Sequence, residues 1–262
     1  MSPFSLAALC VSAAYGWMAW RMRSVSPQSF WLRLGLPATL LAHGALLYVS
    51  VLGEGDIRLG FGNSVSTVFW LAALMYWASS HGAPLARVQS WVTGLASAGT
   101  LFLAIFTAAH VIPNSQMLAL RAHLAVSFLA YGLLAVAALH ALLMTILEKQ
   151  LHRGAVAVGA APPLLTLEAI LFRTIGAGFV LLTLVVSSGI LFSEELFGQP
   201  LQLTHKVVFG ILSWLVFGGL LLGRHFRGWR GRTALWWTIT GFTLLLMAYV
   251  GTQFVLEVVL GR

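Results

Sequence analysis

Charge is what this sequence has least of. Only 8% of its 262 residues are Asp, Glu, Lys or Arg, against about a quarter in an ordinary soluble domain, while 59% are hydrophobic. That balance excludes a soluble globular chain and defines a polytopic membrane protein. Cysteine is nearly absent. Cys10 is the single one and lies inside an apolar block, which removes an internal disulfide, a CxxC redox pair and a thiolate zinc cluster. There is no P-loop, GxSxG or HExxH, and no pair of intramembrane carboxylates, so no motif of a conventional enzyme is present. Glu257 stands alone near the end of the last apolar block. The formal charge of +8 does not indicate nucleic acid. The basic residues sit in short gaps between apolar blocks, not on one continuous face, which makes membrane lipid the expected surrounding.

What is present is a series of apolar blocks, each of a length that crosses a bilayer as a helix. Eight are expected, at roughly 3–20, 34–52, 64–80, 91–110, 119–147, 171–193, 204–223 and 234–259. They lack strand-like alternation, and a spanning segment must satisfy its own backbone hydrogen bonds, so the fold class is all-α. The first block has no basic residues before it, and Arg21 and Arg23 follow it, so it reads as a retained helix. Alternate gaps carry Arg21, Arg23, Arg33, Arg87, Lys149, Arg153, Arg173, Arg224, Arg227, Arg230 and Arg232. The other side holds only Arg58, Arg121, Lys206 and Arg262. The positive-inside rule then puts the first set in the cytoplasm and both termini outside, in a bacterial inner membrane. Ahead of the sixth block, Pro162 and Pro163 open a segment with leucines on one side and Glu168 and Arg173 elsewhere, which reads as a helix along the cytoplasmic interface. With no soluble domain, charged tail or clear repeat, residues 1–262 form one membrane domain.

Ionisable residues within a membrane are costly and are functional candidates by default. Here they are mostly histidines. His43 falls near the middle of the second block, where it is either a neutral core histidine or a ligand. His110 ends the fourth block, His123 begins the fifth and His205 begins the seventh, all at the outer level. Three histidines at one depth can supply axial nitrogens to a haem iron or form a metal site; equally, they never meet. His140 lies about 25 Å further in than His123 and about 100° round the helix, so packing is its expected role. His81, His152 and His225 fall in cytoplasmic gaps as solvated side chains. Most tryptophans fall near block ends, as an aromatic belt requires, and GRHFRGWRGR (223–232) reads as a topology anchor.

Four stretches together resemble a known family: AHGALLYVS (42–50), AHLAVSFLAYGLL (122–134), the run from PPLLTLEAILFR to SSGILF (162–192), and LTHKVVFGILSW through GWRGRTALWWTITGF (203–242). They resemble the CcsA-like cytochrome c assembly membrane proteins, in particular the short YpjD/HemX-type subgroup that lacks the tryptophan-rich WWD segment. In the larger members an outer histidine, followed eight residues later by tyrosine, supplies an axial ligand to haem. That pattern falls on His123 and Tyr131. The family's lysine after the WWD segment matches Lys206, with His205 beside it, and a further family histidine falls near His225. The chain departs from the pattern in two places. SEELFGQPLQL (193–203) has no tryptophan, and the last block has no histidine.

The resemblance implies a haem-handling protein that assists cytochrome c assembly or haem homeostasis, without full haem lyase activity. Haem b would be held by His123 and His205, with His43 and His110 as further candidate ligands and Lys206 pairing with a propionate. Partners would be cytochrome c assembly components or another membrane protein. The alternatives are a membrane accessory subunit or transporter-like partner, for example in metal-ion efflux, whose histidines are not haem ligands, and an electron-carrying b-type cytochrome.

Overall fold

The computed structural model describes residues 2–22, 30–52, 55–79, 86–107, 110–112, 114–152, 164–193 and 202–248. These carry eight α-helices: α1 (Pro3–Arg21), α2 (Phe30–Leu52), α3 (Phe61–Ser79), α4 (Ala86–Ile105), α5 (Leu118–His152), α6 (Leu164–Leu191), α7 (His205–Arg227) and α8 (Gly231–Leu246). Two short strands, β1 (Arg58–Leu59) and β2 (His110–Val111), pair antiparallel. The chain is a helical polytopic membrane protein. Five helices contain stretches long and apolar enough to cross a membrane, Leu34–Leu52, Val88–Ile105, Leu118–Gln150, Leu164–Leu191 and His205–Arg227. Their outward faces are apolar, with Leu41 76% and Leu191 74% exposed, as contact with lipid requires.

Local sequence explains the helix ends. Ser2 caps α1 by accepting the Ser5 N–H at 3.1 Å, and Pro3 fills the first helical position, where no N–H is needed. At the other extreme, α7 stops at Gly228, whose φ of 64° is left-handed. The Trp229 N–H then returns to the Gly223 carbonyl at 3.2 Å, satisfying an end-of-helix acceptor. A side chain at Gly223 would strike the Trp229 indole at 2.3 Å, so the turn closes only over glycine.

Packing runs α1 on α4, α4 on α3, α3 on α5, then α5 on both α6 and α8, with α7 on α8 and α6 and α2 against α1 and α3. Thus α1–α4 and α5–α8 form two four-helix groups joined mainly along α3 and α5. Where lipid supplies no hydrophobic drive, small residues and interhelical hydrogen bonds decide which helices meet. The α1–α4 seam illustrates this. Ser12 donates to the Ser97 carbonyl at 2.9 Å, Ser97 donates back to the Ser12 carbonyl at 2.7 Å, and Ser90 donates to the Ala19 carbonyl at 2.8 Å. On α7 and α8, Ser213 donates to the Gly241 carbonyl at 2.8 Å, and Gly241 lies against the Phe217 ring.

Two expectations change. The segment after Pro163 is no separate interfacial helix: α6 runs unbroken from Leu164, because buried Glu168 faces Arg224 and Arg230 and so has no need of the water interface. The fourth helix ends at Ile105, short of His110, which instead pairs with Leu59 in the small sheet. The last helix is described to Leu246, and residues 249–262, with Glu257, lie outside the described residues.

Candidate functional site

A cleft of about 360 Å³ opens between α5, α6 and α7. Its walls are apolar, including Leu124, Phe128, Leu182, Val186 and Ile190, and Val68 of α3 and Leu245 of α8 contribute to the lining. From α5 come His123, Ser127 and Tyr131, spaced four residues apart and therefore on one helix face. Ser127 donates to the His123 carbonyl at 2.7 Å. The His123 Nδ1 lies 2.9 Å from the Ser188 Oγ of α6. Gly189 leaves space beside the ring, since a Cβ there would lie 3.6 Å from His123 Cε1. At the mouth, Gln202, Thr204 and exposed Lys206 supply the polar rim.

The histidines expected at one level do not all meet. His123, Tyr131 and Lys206 converge on the cleft. His205 is exposed and does not line it. The cleft face of α7 runs through Lys206, Val207, Gly210 and Ile211; at about 100° per residue His205 falls behind that face. His110 is exposed in β2. His43 is fully buried in the other helix group, its Nε2 2.8 Å from Ser66 Oγ and its ring edge-on to Tyr15 at 5.7 Å. His140 donates from Nδ1 to its own Val136 carbonyl at 2.9 Å and lies against Tyr76, as a packing histidine does. His225 is exposed beside Phe226. His81 and the His152 side chain lie outside the described residues, as do the Trp31 side chain and residues 194–201 of the shortened connection. No cluster of three His, Cys, Asp or Glu side chains suited to a metal ion occurs among the described residues.

Two residues of the site carried no signal on which a motif could rest. Ser188 and Gly189 are visible in the sequence only as part of SSG within an apolar run. Their proximity to His123 depends on the α5–α6 packing, set where Gly178 lets Leu134 approach.

The opposite end of the bundle holds a different cluster. Glu168 of α6 accepts hydrogen bonds from Arg224 of α7 and from Arg230 Nε at 3.1 Å. Arg224 also lies over the Phe172 ring at 4.4 Å. GRHFRGWRGR therefore clamps α6, α7 and α8 together as well as carrying positive charge.

At the cleft end, the connecting loops are tied down by Asp56. It accepts from Ser115 Oγ at 2.9 Å and Gln116 Nε2 at 2.7 Å, while Arg121 donates to the Gly55 carbonyl at 2.9 Å. The hydrogen bond from Gln116, then that from Ser115, with Arg121 and Arg58 nearby, holds the Asp56 carboxyl below its ordinary range.

Fold and site together define a multi-pass protein of the cytoplasmic membrane with one histidine on an apolar cleft. Residues 31–260 match the family model described as cytochrome c assembly protein, and the chain belongs to that family. It is 29% identical over 239 residues to the inner membrane protein YpjD of Escherichia coli K12, covering 87% of this chain and 89% of that one. It is 33% identical over 106 residues to the cytochrome c biogenesis protein CcsA of Synechococcus sp. RCC307, covering 40% and 34% of the two chains. No solved structure matches.

Proposed function

We propose that this chain is a haem-handling protein that assists cytochrome c assembly or haem homeostasis, without haem lyase activity of its own. The observation that carries the reading is the meeting of His123, Tyr131 and Lys206 on one apolar cleft. The donor set fits haem b. Imidazole nitrogen suits iron, apolar walls suit the faces of a porphyrin, and an ammonium at the rim suits a carboxylate. His123 Nε2 would be the axial nitrogen and Lys206 the partner of a propionate, with the positive end of the α7 dipole adding to its field. Bound haem would supply an iron able to take that nitrogen and to exchange one electron.

The walls are apolar, and Tyr131, two turns along α5 from His123, lines the same cleft. His205, His43 and His110 stand off the cleft, and neither 194–201 nor 249–262 contains a histidine. This leaves His123 as the histidine among the described residues that would hold the iron. Cytochrome c assembly components are the partners this reading implies.

In the same reading all eight helices cross the bilayer and both termini face outward. His123, Ser188 and Lys206 then share the outer end with Asp56 and Arg121, and Arg224, Arg227 and Arg230 mark the cytoplasmic end.

The test is the visible spectrum of detergent-purified protein, oxidised and dithionite-reduced, with a pyridine haemochrome assay. A Soret band with b-type reduced bands near one haem per chain, lost in His123→Ala and kept in His205→Ala, is expected. Protein that stays colourless after haem is supplied would overturn the reading and favour an accessory-subunit role.

A further inference from the structure

Ser188 sits on α6 with its hydroxyl between two kinds of partner. It donates to the Leu184 carbonyl at 2.7 Å, with the Val185 carbonyl at 3.2 Å also within reach. A serine has one hydroxyl hydrogen and two acceptor lone pairs. With that hydrogen given to its own helix, the 2.9 Å contact to His123 can form in only one sense: the ring Nδ1–H donates and the Ser188 oxygen accepts. A neutral imidazole carries a single N–H, so Nε2 is then the nitrogen with the lone pair. The ring is also held in place. Its Cε1 edge faces Gly189.

We infer that Ser188 is a positioning residue: by holding the proton on Nδ1, it makes His123 present the Nε2 lone pair to an electron-accepting centre in the cleft. The nature of that centre, a haem iron, rests on the proposed function; the tautomer does not. Histidines that bind metals commonly donate their second N–H to an acceptor that fixes tautomer and ring orientation. Here that acceptor is a helix-anchored hydroxyl.

The experiment uses the full chain, labelled with ¹⁵N-histidine, reconstituted in lipid without haem. His123 is assigned as the signal missing from His123→Gln. Wild-type protein and Ser188→Thr, whose hydroxyl can back-bond to the same helix carbonyl, are expected to show a protonated Nδ1 and an unprotonated Nε2. Ser188→Ala is expected to lose that pattern. A wild-type proton on Nε2, or an unchanged pattern in Ser188→Ala, overturns the assignment.

Haem titration follows on the same three proteins. Ser188→Ala should bind about ten- to a hundred-fold more weakly, with Ser188→Thr restored. Equal affinity in Ser188→Ala overturns the positioning role. A wild-type chain that binds no haem but keeps the tautomer pattern overturns only the cofactor, leaving Ser188 as the residue that sets the state of His123.

Discussion

The Glu168 carboxylate of α6 is held by the Arg224 guanidinium of α7 across the end of the bundle away from the cleft, and the two partners are unequally buried. Only 9% of the Glu168 side chain is exposed, against 32% for Arg224. The cost of breaking the pair therefore depends on which partner is removed. Arg224→Ala strands a buried charge with one remaining arginine, whereas Glu168→Ala leaves arginines that reach water. A charged group left without its partner costs more than a shared hydrogen bond contributes. Arg224→Ala should cost about 2 kcal/mol and Glu168→Ala about 1 kcal/mol. Thermal unfolding in detergent measures both, and the reverse order would show that the carboxylate has found water.

Tyr15 gives a prediction of the opposite sign. Its ring is fully buried between α1 and His43, yet its hydroxyl has no hydrogen-bond partner among the described residues. An unsatisfied buried hydroxyl is a penalty, so Tyr15→Phe should stabilise the protein by about 1 kcal/mol. A drop in melting temperature would mean that the hydroxyl is bridged by water to a neighbour such as the His43 Nδ1, which also lacks a partner among those residues.

Asp56 should make the loops at the cleft end acid-sensitive. Its carboxyl is held below the ordinary range, first by Gln116 and then by Ser115. A group whose native pKa is depressed adds stability that is complete above its unfolded pKa and is lost as pH falls through the native one. Protection of the Ile112 amide, which donates to the Ile57 carbonyl at 2.9 Å, should be constant from neutrality to the ordinary carboxyl range and weaken below it. Hydrogen exchange by mass spectrometry reads this, and Asp56→Asn should abolish the step.

The cleft itself can be closed from one position. Gly189 borders His123, and a methyl group there would make only ordinary contact at 3.6 Å. Gly189→Ala should therefore leave ligand binding close to wild type, whereas Gly189→Leu should fill the space beside the ring and reduce haem binding at least about tenfold, or 1.4 kcal/mol. Fluorescence quenching on haem titration follows it. Equal binding by the leucine variant would place the ligand elsewhere.

The sequence carried the helical framework well, but it carried the site unevenly. His123 was legible as a histidine at the end of an apolar block, and Tyr131 only through the family resemblance, whose spacing of eight keeps both residues along one side of the helix. Lys206 was legible as a cation at the mouth of an apolar helix. His205 stands next to it and looked equivalent, but adjacency along a helix separates directions. His43 suggested a ligand by its depth, yet its surroundings, Tyr15 of α1 and Ser66 and Trp70 of α3, come from two other helices whose pairing with α2 no spacing reveals. Glu168 was misread for the same reason: its arginines lie 56 and 62 residues further on.

What the sequence determined by itself follows from local physics. The scarcity of charge, the lengths of the apolar blocks and the need of each to satisfy its own backbone made a multi-pass helical membrane protein, and basic gaps alternating with neutral ones implied a direction across the bilayer. Only the tertiary structure decided which side chains share a space. In lipid, helices are chosen for one another by small residues and a few hydrogen bonds, such as Ser12 with Ser97, Ser213 with Gly241 and Gly178 beneath Leu134. Those contacts bring Ser188 to His123 and turn Lys206 toward the cleft while His205 faces away, because side-chain direction is set by the rotation of a whole helix and not by the residue's place in the chain.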